Sequence, residues 1–164
     1  MADPIINLST LGIKVVYATE ATAGTRPTTG YTEIPCITST PELNPTPESI
    51  DVTDLSQTEY KQSIPGLKDL GGALSFGVNI NEALIAAWDK LCTDADNAKK
   101  TNKRVWFAII HPNLTKCVSF AGEPTTLGMP AAEVNGALQG NVSVTPTNAP
   151  EWVAKPTIGG SSAS

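Results

Sequence analysis

Residues 72–95 read "GALSFGVNINEALIAAWDKLCTDA", and the hydrophobic period changes once along them. Up to residue 80, Leu74, Phe76, Val78 and Ile80 alternate with Ala73, Ser75, Gly77 and Asn79, the period of two expected of a strand with one buried face. From Asn81 onward, Leu84, Ile85, Trp88, Leu91 and Cys92 recur at helical spacing and make one apolar stripe. Asn81 suits the N-cap, and Glu82 suits the positive end of the helix dipole. The pattern predicts a strand feeding one amphipathic helix over 81–95, which covers a sheet. A polar linker, "DNAKKTNKR" (96–104), then turns the chain into the next strand.

Working outward, 13 prolines and 13 glycines punctuate short runs rich in threonine and valine. Candidate strands are 12–19, 32–38, 49–55, 72–80, 104–110, 116–123 and 133–147. The chain is therefore expected to be mainly β, with one helix. In 134–145, Val134, Leu138, Val142 and Val144 share a face with two glycines, opposite Asn135, Ala137, Gln139, Asn141, Ser143 and Thr145. The wet faces of this strand and of 73–80 are small, polar and uncharged. Two readings stand: an ordinary solvated antiparallel face, or the wall of a conduit that must grip nothing.

At 164 residues the chain is the size of one domain and long enough to bury a core unaided. Its net charge of −5, with 16% charged residues, lacks the basic excess of a protein that holds nucleic acid phosphates tightly. Cys36, Cys92 and Cys117 are odd in number and far apart, as expected of reduced thiols packed as small hydrophobes. The first twenty residues show no basic and apolar pattern of a secretion signal, and no apolar run reaches the roughly 18 residues of a membrane span.

Candidate chemistry is sparse. His111 and Cys117 are six residues apart, but a proline–asparagine turn follows the histidine and no acid stands near as a third partner, so both are expected to be structural. "DAD" (94–96) lacks the rest of a calcium loop. "KKTNKR" (99–104) suits the negative end of a helix at least as well as a phosphate. No phosphate-cradling loop, zinc-spaced cysteine pair or nucleophile elbow occurs, so neither enzymatic activity nor a cofactor or metal is expected.

The segment from Ser56 to Gly71 exceeds the roughly 12 to 15 residues usual for a structureless loop in a compact domain. Pro65-Gly66 at its centre predicts a type II turn. Tyr60, Ile64, Leu67 and Leu70 provide apolar contacts along an arm.

The order "PELNPTPESIDVTDL", "EYKQSIPGLKDLGGALSFGVNINEA", a single helix, then short strands ending in "NAPEWVA" resembles the major tail tube proteins of long-tailed, non-contractile bacteriophages, over about residues 31 to 154. The resemblance implies a β-sandwich or partial barrel of two packed antiparallel sheets flanked by one α-helix. It implies a structural role, in which six-membered rings stack into a conduit for DNA ejection and a long loop reaches the neighbouring ring. "EYKQSIPGLKDLGG" matches that loop in position, which assigns Tyr60, Ile64, Pro65, Gly66 and Leu67 to ring stacking. The implied partners are further copies of the chain, a tape-measure protein, a tail initiator or distal tail protein, and a tail terminator. DNA would pass without tight binding, and no membrane is involved.

A bore built this way would be lined by Ser75, Asn79, Asn135, Gln139, Asn141 and Ser143, since phosphate contacts repeated at every ring would sum to a large friction. The particle would be a virion assembled in the host cytoplasm, with one tube domain over 1–154 and a flexible tail over 155–164. "MADPIINLSTL" either reaches a neighbour as a second arm or covers the subunit's own core. The inner tubes of contractile tails and of the type VI secretion apparatus share this architecture. A monomeric β-sandwich binding module is the reading from another class, although such a module usually shows exposed aromatics, and this chain has few to spare.

Overall fold

The computed structural model describes residues 8–44, 46–69 and 72–158. In chain order these form β1 (Lys14–Thr19), β2 (Thr32–Glu33), β3 (Ile37–Ser39), β4 (Thr46–Asp51), β5 (Ser63–Asp69), β6 (Leu74–Asn79), α1 (Glu82–Lys100), β7 (Val105–Ile110), β8 (Lys116–Pro124), β9 (Gln139–Pro146) and β10 (Glu151–Ala154).

Eight strands make one antiparallel sheet in the order β2-β1-β7-β8-β9-β6-β3, with β10 also on β8. Strand β8 is the branch point. Its first half, Lys116–Ser119, pairs with β10, and its last three residues, Gly122–Pro124, pair with β9. Two strands sharing one edge of β8 force the sheet to divide and curl. One core cluster holds Val15, Tyr17, Phe107 and Phe120 from β1, β7 and β8, together with Leu74, Phe76, Val78, Val142 and Val144 from β6 and β9. The expected sandwich or partial barrel is therefore present, with its two leaves joined through β8 into one hydrogen-bonded sheet. At the junction, a Cβ on Gly122 would come within 2.6 Å of a Val144 methyl and 2.9 Å of the Thr145 carbonyl. Only glycine lets β8 and β9 approach so closely.

Helix α1 lies against β1, β7 and β8. Asn81 caps it, its side-chain oxygen accepting from the Leu84 N–H at 3.0 Å. Leu84, Trp88, Leu91 and Ala98 are buried, and the Trp88 indole N–H donates to the Thr125 carbonyl at 2.8 Å. The helix runs further than the sequence pattern predicts, through the expected linker as far as Lys100. Ala95 and Ala98 favour it, Lys99 and Lys100 suit its negative end, and Asn102, at φ 58°, ends it.

Strands β1 and β7 are buried on both faces. Val16, Ala18, Ala108 and Ile110 point away from the helix into a second cluster with Tyr31 and Cys117, against which Val153 and Ile158 pack. This explains their unbroken apolar runs, "VVYA" and "VWFAII". Beside this layer sits Glu20, whose side chain is fully buried. It accepts from the Trp106 indole N–H at 2.8 Å, the Gly24 N–H at 2.8 Å, and the backbone N–H and Nε of Arg104, each at 3.2 Å. Burial alone would raise its carboxyl. The donors from Trp106, Gly24 and Arg104, with the Arg104 charge, outweigh burial and hold it below its ordinary value.

Three other expectations change. The run 32–38 is broken into β2 and β3 by a turn with Cys36 at φ 64°. Residues 133–138 are not strand: Asn135 has φ 65° and Val134 is exposed, so the regular alternation starts at Gln139. At the C-terminal end, Thr157 donates to the Thr28 carbonyl and Ile158 bridges to Tyr31, so the first residues of the expected tail are seated on the fold. The rest of it, 159–164, and the N-terminal stretch 1–7 lie outside the described residues.

Candidate assembly interface

The arm expected over 56–71 is half of a β-hairpin. Strands β4 and β5 form their own two-stranded sheet, with Thr46 opposite Asp69, Ile50 opposite Ile64 and Asp51 opposite Ser63. The type II turn expected at Pro65-Gly66 is absent: both residues lie inside β5, and Gly66 has no positive φ. Proline is tolerated here because a two-stranded ribbon has only edge strands. Glycine fits here without displacing its neighbours, since a Cβ at 66 would lie 3.1 Å from both the Glu48 carbonyl and the Ile50 side chain.

The reversal of the chain falls instead at 52–62, where short polar side chains stand in for backbone partners. Asp51 accepts from the Thr53 N–H at 2.9 Å, Asp54 accepts from the Ser56 N–H at 2.8 Å, and the Gln62 N–H donates to the Thr53 hydroxyl at 2.7 Å. The Thr53 hydroxyl and N–H hold the carboxyl of Asp51, and the Ser56 hydroxyl and N–H that of Asp54, below their ordinary values. The turn is thus built from "DVTDLS", whose first five residues the sequence pattern takes as the end of a strand.

Among the described residues the hairpin has no core beneath it. β4 and β5 pack on each other and share no more than marginal contact with any other element. Ile50, Val52, Leu55, Tyr60, Ile64 and Leu67 are all exposed, six of the thirteen large apolar side chains exposed among the described residues. Of the residues assigned to stacking, Tyr60 lies at the turn, and Ile64, Pro65, Gly66 and Leu67 lie along β5.

The polar face falls largely where the alternation predicts. Pairing of β6 with β9 places Ser75 opposite Ser143, Gly77 opposite Asn141 and Asn79 opposite Gln139, and the Gln139 amide donates to the Asn79 side-chain oxygen at 2.9 Å. Phe76, Val78, Val142 and Val144 fill the opposite, buried face. Five of the six candidate residues thus share one outward surface. Asn135, in the turn before β9, is not on it.

The outermost strands of the large sheet, β2 and β3, are only two and three residues long. Short edges limit uncontrolled pairing. His111 and Cys117 are separately engaged. The histidine's Nδ1 accepts from the Asn113 N–H at 3.1 Å, and its Nε2 lies 2.5 Å from the Ser9 carbonyl oxygen. Cys117 is buried in the second cluster, with burial pushing its thiol up. Among the described residues no group of three or more metal-ligating side chains gathers, and no helix is long and apolar enough to cross a membrane.

No family model matches the chain, and no curated protein matches it. A solved structure does. The chain resembles one in the cryo-EM structure of the anti-feeding prophage baseplate, six-fold symmetrised, with a TM-score of 0.59 at 10% identity over 94% of this chain and 98% of that one. The likeness covers nearly the whole of both chains, so the two share an overall fold.

Proposed function

We infer that this chain is a structural subunit of a phage-tail-like particle, not an enzyme, and that it assembles as six-membered rings stacked into a tube through which DNA passes. The observation that carries this reading is the β4–β5 hairpin. A lone two-stranded ribbon is marginally stable in water at best, and this one exposes six large apolar side chains. Covering a leucine or isoleucine fully contributes about 1.5 to 3 kcal/mol, so a neighbouring copy that covers the arm stabilises both the arm and the contact. A contact made between different surfaces of identical copies repeats without limit along an axis, which is how a tube grows.

The fold shared with a chain of a six-fold symmetrised baseplate supports the ring. The uncharged face of Ser75, Asn79, Gln139, Asn141 and Ser143 supports a bore that does not grip phosphates. Tape-measure, initiator and terminator proteins are the further partners of such a tube, and the virion is its location.

That same neighbour favours a second reading, in which the subunit forms a ring of a baseplate or the inner tube of a contractile apparatus. Negative-stain microscopy of concentrated protein tests both. Stacked rings of indefinite length support the tube, isolated rings support the baseplate, and a strict monomer under every condition contradicts both in favour of a binding module.

A further inference from the structure

We propose that the tip of the β4–β5 hairpin of one copy docks on the C-terminal end of helix α1 of a second copy, with Leu55 entering the groove between that helix end and strand β8. This deepens the stacking reading above and rests on it. The two surfaces are complementary in charge. The tip, residues 51–62, carries three acids, Asp51, Asp54 and Glu59, against one base, Lys61, whereas residues 99–104 carry Lys99, Lys100, Lys103 and Arg104 and no acid. Both lie on exposed or half-exposed parts of the chain.

Within the subunit some of the basic charge is already committed. Arg104 holds Glu20 at 3.2 Å, and Lys99 holds Glu123 at 3.1 Å. Lys100 and Lys103 make no ion pair among the described residues. Asp51 and Asp54 spend their carboxylates on their own turn but keep their charge, and Glu59 is exposed and makes no ion pair among the described residues.

Shape adds to charge. Ala95, Val105 and Pro124 give an apolar floor to a groove of about 70 Å³, whose charged lining is three bases, Lys99, Lys103 and Arg104, and two acids, Asp96 and Glu123, the latter already paired with Lys99. That volume exceeds the roughly 10 to 15 Å³ that a single water requires and suits one aliphatic side chain. Leu55 is fully exposed at the tip, between Asp54 and Ser56, so an inserted leucine brings the tip's acids to the helix end, where Lys103 lines the groove and Lys100 precedes it by three residues. Because tip and helix end lie on different parts of the same chain, each copy offers both halves of the contact, and the contact repeats.

The test is a charge exchange in the full chain, read as the protein concentration at which half the material sediments as assemblies. Lys100→Glu with Lys103→Glu should raise that concentration about tenfold. Adding Gln57→Lys and Glu59→Lys to the same chain should restore it. All four side chains are surface positions, and circular dichroism confirms that each variant folds.

If the double variant assembles as readily as the parent, this docking is overturned while the ring reading stands. Loss of assembly that the exchanged charges do not restore also overturns it. Salt-dependent binding of a duplex DNA fragment that Lys100→Glu with Lys103→Glu abolishes, with assembly unchanged, overturns it in favour of a phosphate contact. A parent protein that never assembles overturns both the docking and the reading on which it rests.

Discussion

The sandwich body and the β4–β5 hairpin use the same apolar residues to opposite ends. In the body, Phe76, Val78, Val142 and Val144 face Trp88, Phe107 and Phe120, and all are fully or almost fully buried. In the hairpin, Ile50 and Ile64 face one another across the ribbon and remain about half exposed. Folding of one chain satisfies the body. It leaves the hairpin with its hydrogen bonds formed and its apolar surface uncovered. A segment that is ordered in shape but unfinished in burial is what an assembling subunit is expected to keep for its neighbours.

The comparison can be broken first in the body. Trp88→Ala removes a fully buried side chain from between the helix and both leaves, together with its hydrogen bond to Thr125. It should cost about 3–5 kcal/mol in chemical denaturation, with assembly lost only because the subunit unfolds. Glu20→Gln comes next. It removes the charge from a carboxylate that receives four hydrogen bonds, at a cost of about 1–3 kcal/mol.

The same residue has a pH signature. A carboxyl held low in the fold contributes stability that is fully present above the unfolded value, about 4.3. That stability is lost as pH falls through the folded value. Denaturation curves taken at decreasing pH should therefore show an acid loss in the parent that is shallower in Glu20→Gln.

Substitutions in the hairpin should invert the pattern. Ile64→Ser with Leu67→Ser touches two exposed side chains, so the stability of the monomer should change by no more than about 0.5 kcal/mol, while the concentration needed for assembly rises by about a hundredfold or more. The smallest effect on fold and assembly alike belongs to the polar face. Gln139→Lys with Asn141→Lys should leave melting and tube formation unchanged and reduce DNA delivery. Unimpaired delivery through intact tubes would remove this face from the bore.

How much of this was legible in the sequence follows from the same contrast. Strand β6, the start of α1 and the alternation of β9 could be read because one chain supplies both the pattern and the surface that it packs against. The end of α1 was missed because Asp96–Lys100 has no apolar stripe; it is held by alanine and by charges that suit the helix end. Strand β5 was missed for a related reason. Proline and glycine ordinarily mark a turn, and in a ribbon with two open edges neither is excluded from the strand interior. The branch at β8 left only Gly122 as a trace, and a lone glycine does not say which strand comes close to it. On the candidate surface, the outward facing of Ser75, Asn79, Gln139, Asn141 and Ser143 could be read from period alone, whereas their pairing across β6 and β9 could not. Asn135 was misassigned because the pattern continues by chance through a turn.

Amide hydrogen exchange across residues 46–69, compared between dilute monomer and assembled protein, tests the central claim most directly. If neighbouring copies complete the hairpin, its amides exchange rapidly in the monomer while those of β1 and β7 stay protected, and its protection rises to that of the body on assembly. Hairpin amides as strongly protected in the dilute monomer as those of β7, with no change on assembly, would contradict the account.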